Sequence, residues 1–177
     1  MKKGWMKITP ENAGRSPAVD RAADGGRHLR REEAVIFTGI QASGKTTFYL
    51  QRFFETHVRL SLDMLKTRRR ESLLLEACIR AGQSFVVDNT NVLKEQRAEY
   101  VRRARVRPFR LICFFFEPDV ERAIAWNNQR HSGAIPIKGL LATLRRMERP
   151  TREEGFDELY RVQINETGDF VVDASET

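Results

Sequence analysis

One octet constrains this chain more than anything else in it: Gly-Ile-Gln-Ala-Ser-Gly-Lys-Thr at residues 39–46. It satisfies the pattern G-x-x-x-x-G-K-[ST] in full. Its flanks also have the right character. Ala34, Val35, Ile36, Phe37 and Thr38 precede it as a short buried-strand run, and a helix is expected over residues 45–55. A strand that turns through glycines into a helix curls backbone N–H groups around a phosphate at the positive end of the helix dipole. Gly39, Ala42, Ser43, Gly44, Lys45, Thr46 and Thr47 are therefore the candidate nucleotide-binding residues. In such a loop the lysine, here Lys45, reaches the β- and γ-phosphates, and the Thr46 hydroxyl faces Mg²⁺. ATP and Mg²⁺ are the expected ligands.

Beyond the octet, strands and helices alternate. Strands are expected at 58–62, 85–87, 109–116, 159–164 and 170–172, and helices at 69–80, 94–105, from Pro118 to 130, and from Pro136 to 148. Gly82 stands where a helix C-cap is wanted. The run at 109–116 is apolar on both faces, which suits a central strand of a parallel sheet. The charges of 94–105 are expected on an open helix face. Alternation at this spacing implies an α/β fold, a three-layer P-loop NTPase architecture with a mainly parallel sheet. Residues 1–33 have scattered glycines and prolines and no sustained apolar period. They are read as a flexible extension ahead of a domain at 34–177.

Composition narrows the setting. Hydrophobic residues make up 41% of the 177, enough for a packed core and too many for wholesale disorder. The two cysteines, Cys78 and Cys113, lie in apolar contexts and are expected as buried reduced thiols. No Cys/His spacing suits a metal, no apolar run approaches the ~20 residues of a membrane span, and the N-terminus has no apolar signal core. A reducing, cytoplasmic setting away from membranes is the expectation. The formal net charge is +7, which suits anionic partners or ordinary solubilising charge. Eight Lys/Arg against five Asp/Glu place nearly half of that excess in residues 1–33.

The remaining motifs concern what happens to the phosphate. No N-K-x-D guanine-reading motif is present. The candidate acidic strand ends Val86-Val87-Asp88-Asn89, without the Asp-Glu pair that would activate water. This favours transfer to an acceptor over hydrolysis. Transfer needs a carboxylate at the acceptor hydroxyl, a metal-associated acid and a cation on the transferring group. Asp63, at the expected end of the second strand, is the first candidate, with a helix N-cap as its alternative use. Asp88 closes the third strand on the same edge, followed by Asn89, Thr90 and Asn91, which would also serve as turn residues. Arg130 lies in a polar link at about 127–136 that could close as a lid, or could stabilise a helix C-terminus. Arg122 is a second lid cation.

At this point the chain resembles the polynucleotide 5′-hydroxyl kinases, the phage enzyme and the kinase half of the eukaryotic kinase/phosphatase. The likeness rests on residues 39–47, Leu62-Asp63, Asp88-Asn89-Thr90-Asn91, Asn127-x-x-Arg130 with Ala134-Ile135-Pro136-Ile137, and Pro150 with Glu154-Gly155-Phe156. It covers about residues 34–162 and implies an adenylate-kinase-like fold. It implies further that Asp63 is the general base for the 5′-hydroxyl, that Lys45 and Arg130 act on the transferring phosphate, and that Asp88 and Asn91 organise the acceptor. Thr90 and Lys66 join this acceptor set, and Asp88 joins Thr46 at the metal. Departures fall on the acceptor side. Leu62 stands where the phage pattern has arginine before the base, and Lys66 replaces an arginine three positions after it. Asp88 lies two positions before its threonine rather than one.

Three arginine clusters, at 68–70, at 102–110 and at 145–152, would track a DNA or RNA backbone if they faced one groove, or would solvate helix faces. The expected function is therefore ATP-dependent phosphorylation of a polynucleotide 5′ end. A kinase for a small hydroxyl compound (sugar, antibiotic or metabolite) and a non-catalytic ATP-binding regulatory module are the alternatives.

Overall fold

Period-two alternation along the strands sends neighbouring side chains to opposite faces of one sheet, and each face is covered by its own helices. The computed structural model describes residues 31–129 and 134–175. β1 (Glu33–Thr38), β2 (Val58–Leu60), β3 (Phe85–Val87), β4 (Arg110–Phe116), β5 (Glu158–Ile164) and β6 (Phe170–Ala174) form a single sheet in the order β2-β3-β1-β4-β5-β6. All neighbours are parallel except β5 and β6. Ala34, Ile36, Phe85, Val87, Leu111 and Cys113 face α3 (Arg68–Ala81) and α4 (Lys94–Ala104). Val35, Phe37, Val86, Ile112, Phe114 and Phe116 face α1 (Lys45–Arg52). The three-layer architecture expected from the alternation is the one observed.

On the α1 face the core is aromatic. The Phe37 ring lies 5.8 Å from Phe48, 6.0 Å from Phe114 and 5.2 Å from Phe116, each edge-on. Each such buried ring contributes about 2–3 kcal/mol of apolar burial and ~1 kcal/mol more per edge-on pair. This cluster fixes the strand before the glycine turn to the helix after it. A third small core of Ile40, Ala123 and Leu140 docks α5 (Val120–Asn128) and α6 (Ile137–Arg145) behind the turn.

Several boundaries differ from the sequence expectation. α1 stops at Arg52 because Phe53 leaves helical geometry and the His57 N–H turns back to the Phe53 carbonyl. β2 stops at Leu60, and Asp63 lies in a four-residue helix α2 (Leu62–Leu65) rather than at a strand end. Pro118 stands ahead of α5, whose N-cap is Asp119, accepting from the Arg122 N–H; Pro136 is the N-cap of α6 rather than its first residue. The charged face of α4 is not wholly open, because Arg97 on it is fully buried. Gly82 is the left-handed C-cap of α3, as expected. Both cysteines are buried and free, and burial pushes the Cys113 thiol up to about 12. Among the described residues, no helix is long and apolar enough to cross a membrane. Most of the 1–33 extension lies outside the described residues, and β1 begins at Glu33.

Candidate active site

At the carboxyl edge of the sheet, residues 39–46 leave β1 between β3 and β4 and turn into α1. This is where open α/β sheets place ligands. Two glycines are required by geometry. A Cβ on Gly39 would stand 2.8 Å from the Phe116 Cβ, and Gly44 has φ +87° with the Phe170 ring 3.0 Å from where a Cβ would lie. Ala42 takes φ 56° without being glycine, a left-handed residue inside the loop. The Lys45 ammonium is nearly buried and donates to the Gly39 carbonyl (3.1 Å), the Ile40 carbonyl and the Ser43 hydroxyl (3.1 Å). It therefore sits over the loop's own oxygens, beside the place the amides enclose. The Gly39 N–H donates to the Thr90 carbonyl at 2.9 Å, which ties the loop to residues 88–91.

The cleft beside this loop has a volume of about 440 Å³. Gln41 to Thr47 line one wall, Leu62, Asp63 and Arg68 of α2 and α3 line another, the less exposed residues 88–91 its floor, and Trp126 and Ile135 complete the lining. Thus Ala42, Ser43, Gly44, Lys45, Thr46, Thr47, Asp63, Asp88, Thr90 and Asn91 are brought together around one space. Lys66 and Arg122 do not line it. Lys66 ends α2 with φ 67°, and Arg122 is turned to the Asn165 carbonyl (3.0 Å) and Asp119 (3.3 Å). Arg130 lies outside the described residues. Its link is clamped at the base, where Asn127 donates to the Ile135 carbonyl (2.7 Å) and accepts from the Ile135 N–H (2.9 Å).

The N-cap alternative for Asp63 does not hold. Ser61 is the N-cap of α2, and Thr67 caps α3 by accepting from the Arg70 N–H. Among the described residues, no hydrogen bond or ion pair engages the exposed Asp63 carboxylate. Its helix is pinned by Asn89, which accepts from the Leu62 N–H at 2.9 Å. Asn89 in turn donates to Glu71 at 2.5 Å, and Glu71 accepts from Tyr100 (3.0 Å) and Arg68 (2.8 Å). Burial, then the Glu71 charge, pushes the Tyr100 phenol up to about 12, so it remains a donor. Asn91 is buried at φ 44° and donates to the Phe37 carbonyl at 2.9 Å.

Asp88 accepts from the Thr46 hydroxyl at 2.9 Å, and both groups are also met by Arg59. The Thr46 hydroxyl and the Asp88 carboxylate are hard oxygen donors on one spot, which fits Mg²⁺. No group of three or more His, Cys, Asp or Glu able to hold a metal exists among the described residues. A cation here would therefore take its other ligands from phosphate and water, the usual habit of Mg²⁺.

Arg59 and Arg97 were not among the sequence candidates, and Asn89 entered only as part of the polar run at 88–91. Arg97 forms a two-point ion pair with Glu154 (2.7 and 2.6 Å) and donates to the Asn91 (3.1 Å) and Glu148 (3.0 Å) carbonyls. Glu154 belongs to the E-G-F triplet, so that signature carries a support for the cleft floor. The arginine clusters do not share one groove. Arg105, Arg107 and Arg110 tie down the opposite edge of the sheet, through Asp157, the Arg80 carbonyl and Glu158.

A glycine loop between a central parallel strand and a helix, with a lysine and a Thr–Asp pair beside it, defines a P-loop nucleotide-binding fold. The chain belongs to the AAA_33 family of AAA domains, whose sequence model matches residues 35–152. It is 28% identical over 142 residues to a putative bifunctional polynucleotide phosphatase/kinase of Acanthamoeba polyphaga mimivirus, covering 75% of the chain and 34% of that protein. It is 26% identical over 139 residues to the bifunctional polynucleotide phosphatase/kinase of Schizosaccharomyces pombe, covering 74% and 33%. The chain thus spans about a third of the length of these relatives, and its likeness to the polynucleotide kinases extends beyond the P-loop. Among solved structures, Chaetomium thermophilum Kti12 in complex with ADP-AlF3 superposes with a TM-score of 0.57 at 16% identity, covering 76% of this chain and 92% of that one. A sugar kinase from Janibacter sp. gives 0.55 at 18%, covering 75% and 85%. These likenesses bear on the fold alone, which is that of the P-loop kinases.

Proposed function

We propose that this chain is an Mg²⁺-dependent phosphotransferase that moves the γ-phosphoryl group of ATP to a hydroxyl acceptor, and that the acceptor is a polynucleotide 5′-hydroxyl. The observation that carries the reading is Asp63: a carboxylate that lines the same cleft as Lys45 and has no hydrogen bond or ion pair among the described residues. Its place suits a general base for an acceptor lying between the two walls. In the proposed step the Asp63 carboxylate takes the acceptor's hydroxyl proton. The acceptor oxygen bonds to the γ-phosphorus as the bond to the β,γ-bridging oxygen breaks, and ADP leaves. Lys45 and the loop amides hold the β- and γ-phosphates and offset charge on the transferring group. Thr46 and Asp88 would hold Mg²⁺, which when bound neutralises charge on the phosphate oxygens. Arg130, in a link closed at its base by Asn127, would add the last cation. Thr90 and Asn91 would serve the acceptor, and Asp88 would serve both the metal and the acceptor.

The acceptor class is supported by the two polynucleotide phosphatase/kinase relatives. One observation favours a small alcohol instead: the arginines at 105–110 are spent at the far edge of the sheet. The test offers γ-labelled ATP with 5′-hydroxyl DNA and RNA oligomers and with a panel of sugars and small alcohols. Label on the oligomer 5′ end is expected. Label only on a small alcohol would overturn the acceptor, and ADP binding without label anywhere would overturn phosphotransfer.

A further inference from the structure

Arg59 stands on β2, outside every motif in the chain, and its guanidinium is aimed at the Thr46–Asp88 pair. Nε donates to Asp88 Oδ2 at 2.8 Å, and Nη2 lies 2.6 Å from the same oxygen. Nη2 also donates to Thr46 Oγ1 at 3.1 Å. From behind, the guanidinium carbon sits 5.6 Å from the centre of the Tyr49 ring, and the Tyr49 hydroxyl is itself fixed on the His57 carbonyl at 2.9 Å. The arginine is thus held by a carboxylate, a hydroxyl and an aromatic face. Its ion pair with Asp88 runs through Oδ2. Among the described residues, no hydrogen bond engages Oδ1.

The guanidinium sets a full positive charge against the pair. Asp88 therefore carries a resident counter-ion before any ligand arrives. A divalent cation brought to Thr46 and Asp88 meets that fixed positive charge within a few ångströms, where repulsion is strong and weakly screened. Nucleotide phosphates change the balance, because they add several negative charges to the same place.

We infer that Arg59 is a positioning residue that makes divalent-cation binding conditional on nucleotide. It holds the Asp88 carboxylate against the Thr46 hydroxyl, and it suppresses metal binding by that pair alone. The inference rests on the Thr46–Asp88 pair being the metal position of the proposed function.

Mn²⁺ binding to the full chain, read from the free-ion electron paramagnetic resonance signal with and without ADP, tests it. The wild-type chain is expected to bind Mn²⁺ weakly alone and at least tenfold more tightly with ADP. R59Q is expected to bind Mn²⁺ alone at least tenfold more tightly than wild type, with the gain from ADP reduced to match. R59M, which keeps the aliphatic stem against Tyr49 and drops the charge, should behave the same way, so the test does not hang on one variant folding. R59K keeps the charge and should remain close to wild type. A merely structural arginine would lower the melting temperature in R59Q and R59M without tightening Mn²⁺. Unchanged or weaker Mn²⁺ binding by the folded variants overturns the role of Arg59. Tight binding that survives in R59Q/D88N overturns the metal position instead.

Discussion

On one wall of the cleft, the groups facing a ligand are backbone amides and one lysine drawn from eight consecutive residues. On the other they are side chains from α2, α3 and the loop after β3, joined by Asn89, Glu71 and Tyr100. The first wall is rigid because its glycines pack against Phe116 and Phe170 and its strand and helix share the phenylalanine core. The second is rigid only as far as its hydrogen bonds hold. A phosphate loop can be built from local sequence, whereas the proposed acceptor site depends on pairings formed across the fold.

If that division is right, damage to each wall should have a different signature. The largest effect is expected on the nucleotide wall, where K45A should lower phosphoryl transfer by about 10³-fold. It should also weaken ADP binding, measured by Trp126 fluorescence in a W5F background. Beneath both walls, R97M removes one partner of a buried ion pair and strands Glu154. Urea unfolding should show a loss of about 3–5 kcal/mol. R97K should not restore it, because an ammonium cannot reproduce the two-point contact.

On the proposed acceptor wall, N89A should reduce transfer about tenfold, as expected for loss of a part-buried hydrogen-bonding side chain. ADP affinity should stay at the wild-type value. An equal loss in ADP affinity would mean that the walls are not separable. The smallest effect concerns Tyr100. Its phenol is pushed up to about 12 by burial first and the Glu71 charge second, whereas an unfolded tyrosine titrates near ~10. The fold therefore prefers the protonated phenol, and unfolding above pH ~10 releases its proton. That stabilisation is full below pH ~10 and is lost as the pH rises toward 12. Melting temperature against pH should show this alkaline slope in wild type, and Y100F should flatten it.

The same division explains what could be read from the chain. Local features were legible: the octet in its strand–helix setting, the central place of β4 and the Gly82 cap. The parallel three-layer fold followed from their alternation. The acceptor wall was only partly so. Asp63 was found as a residue, but its helix was not, because four residues between Ser61 and Lys66 carry too little periodicity to announce one. Arg97 read as one more charge on an exposed helix, since its partner Glu154 lies 57 positions away. Arg59 was hidden in the same way, 29 positions from Asp88. Asn89 belonged to a polar run that suits either function or a turn, and its partners Leu62 and Glu71 lie 27 and 18 positions away. Lys66 was placed toward the ligand by analogy and Arg122 by its helical spacing from Arg130, and neither lines the cleft.

The central claim is that Asp63 serves the acceptor and nothing else. The direct test is D63N, assayed for label transfer from ATP to a 5′-hydroxyl oligomer alongside ADP-dependent Trp126 quenching. Transfer should fall by about 10²–10⁴-fold with quenching unchanged. Transfer within a few-fold of wild type would contradict the central claim.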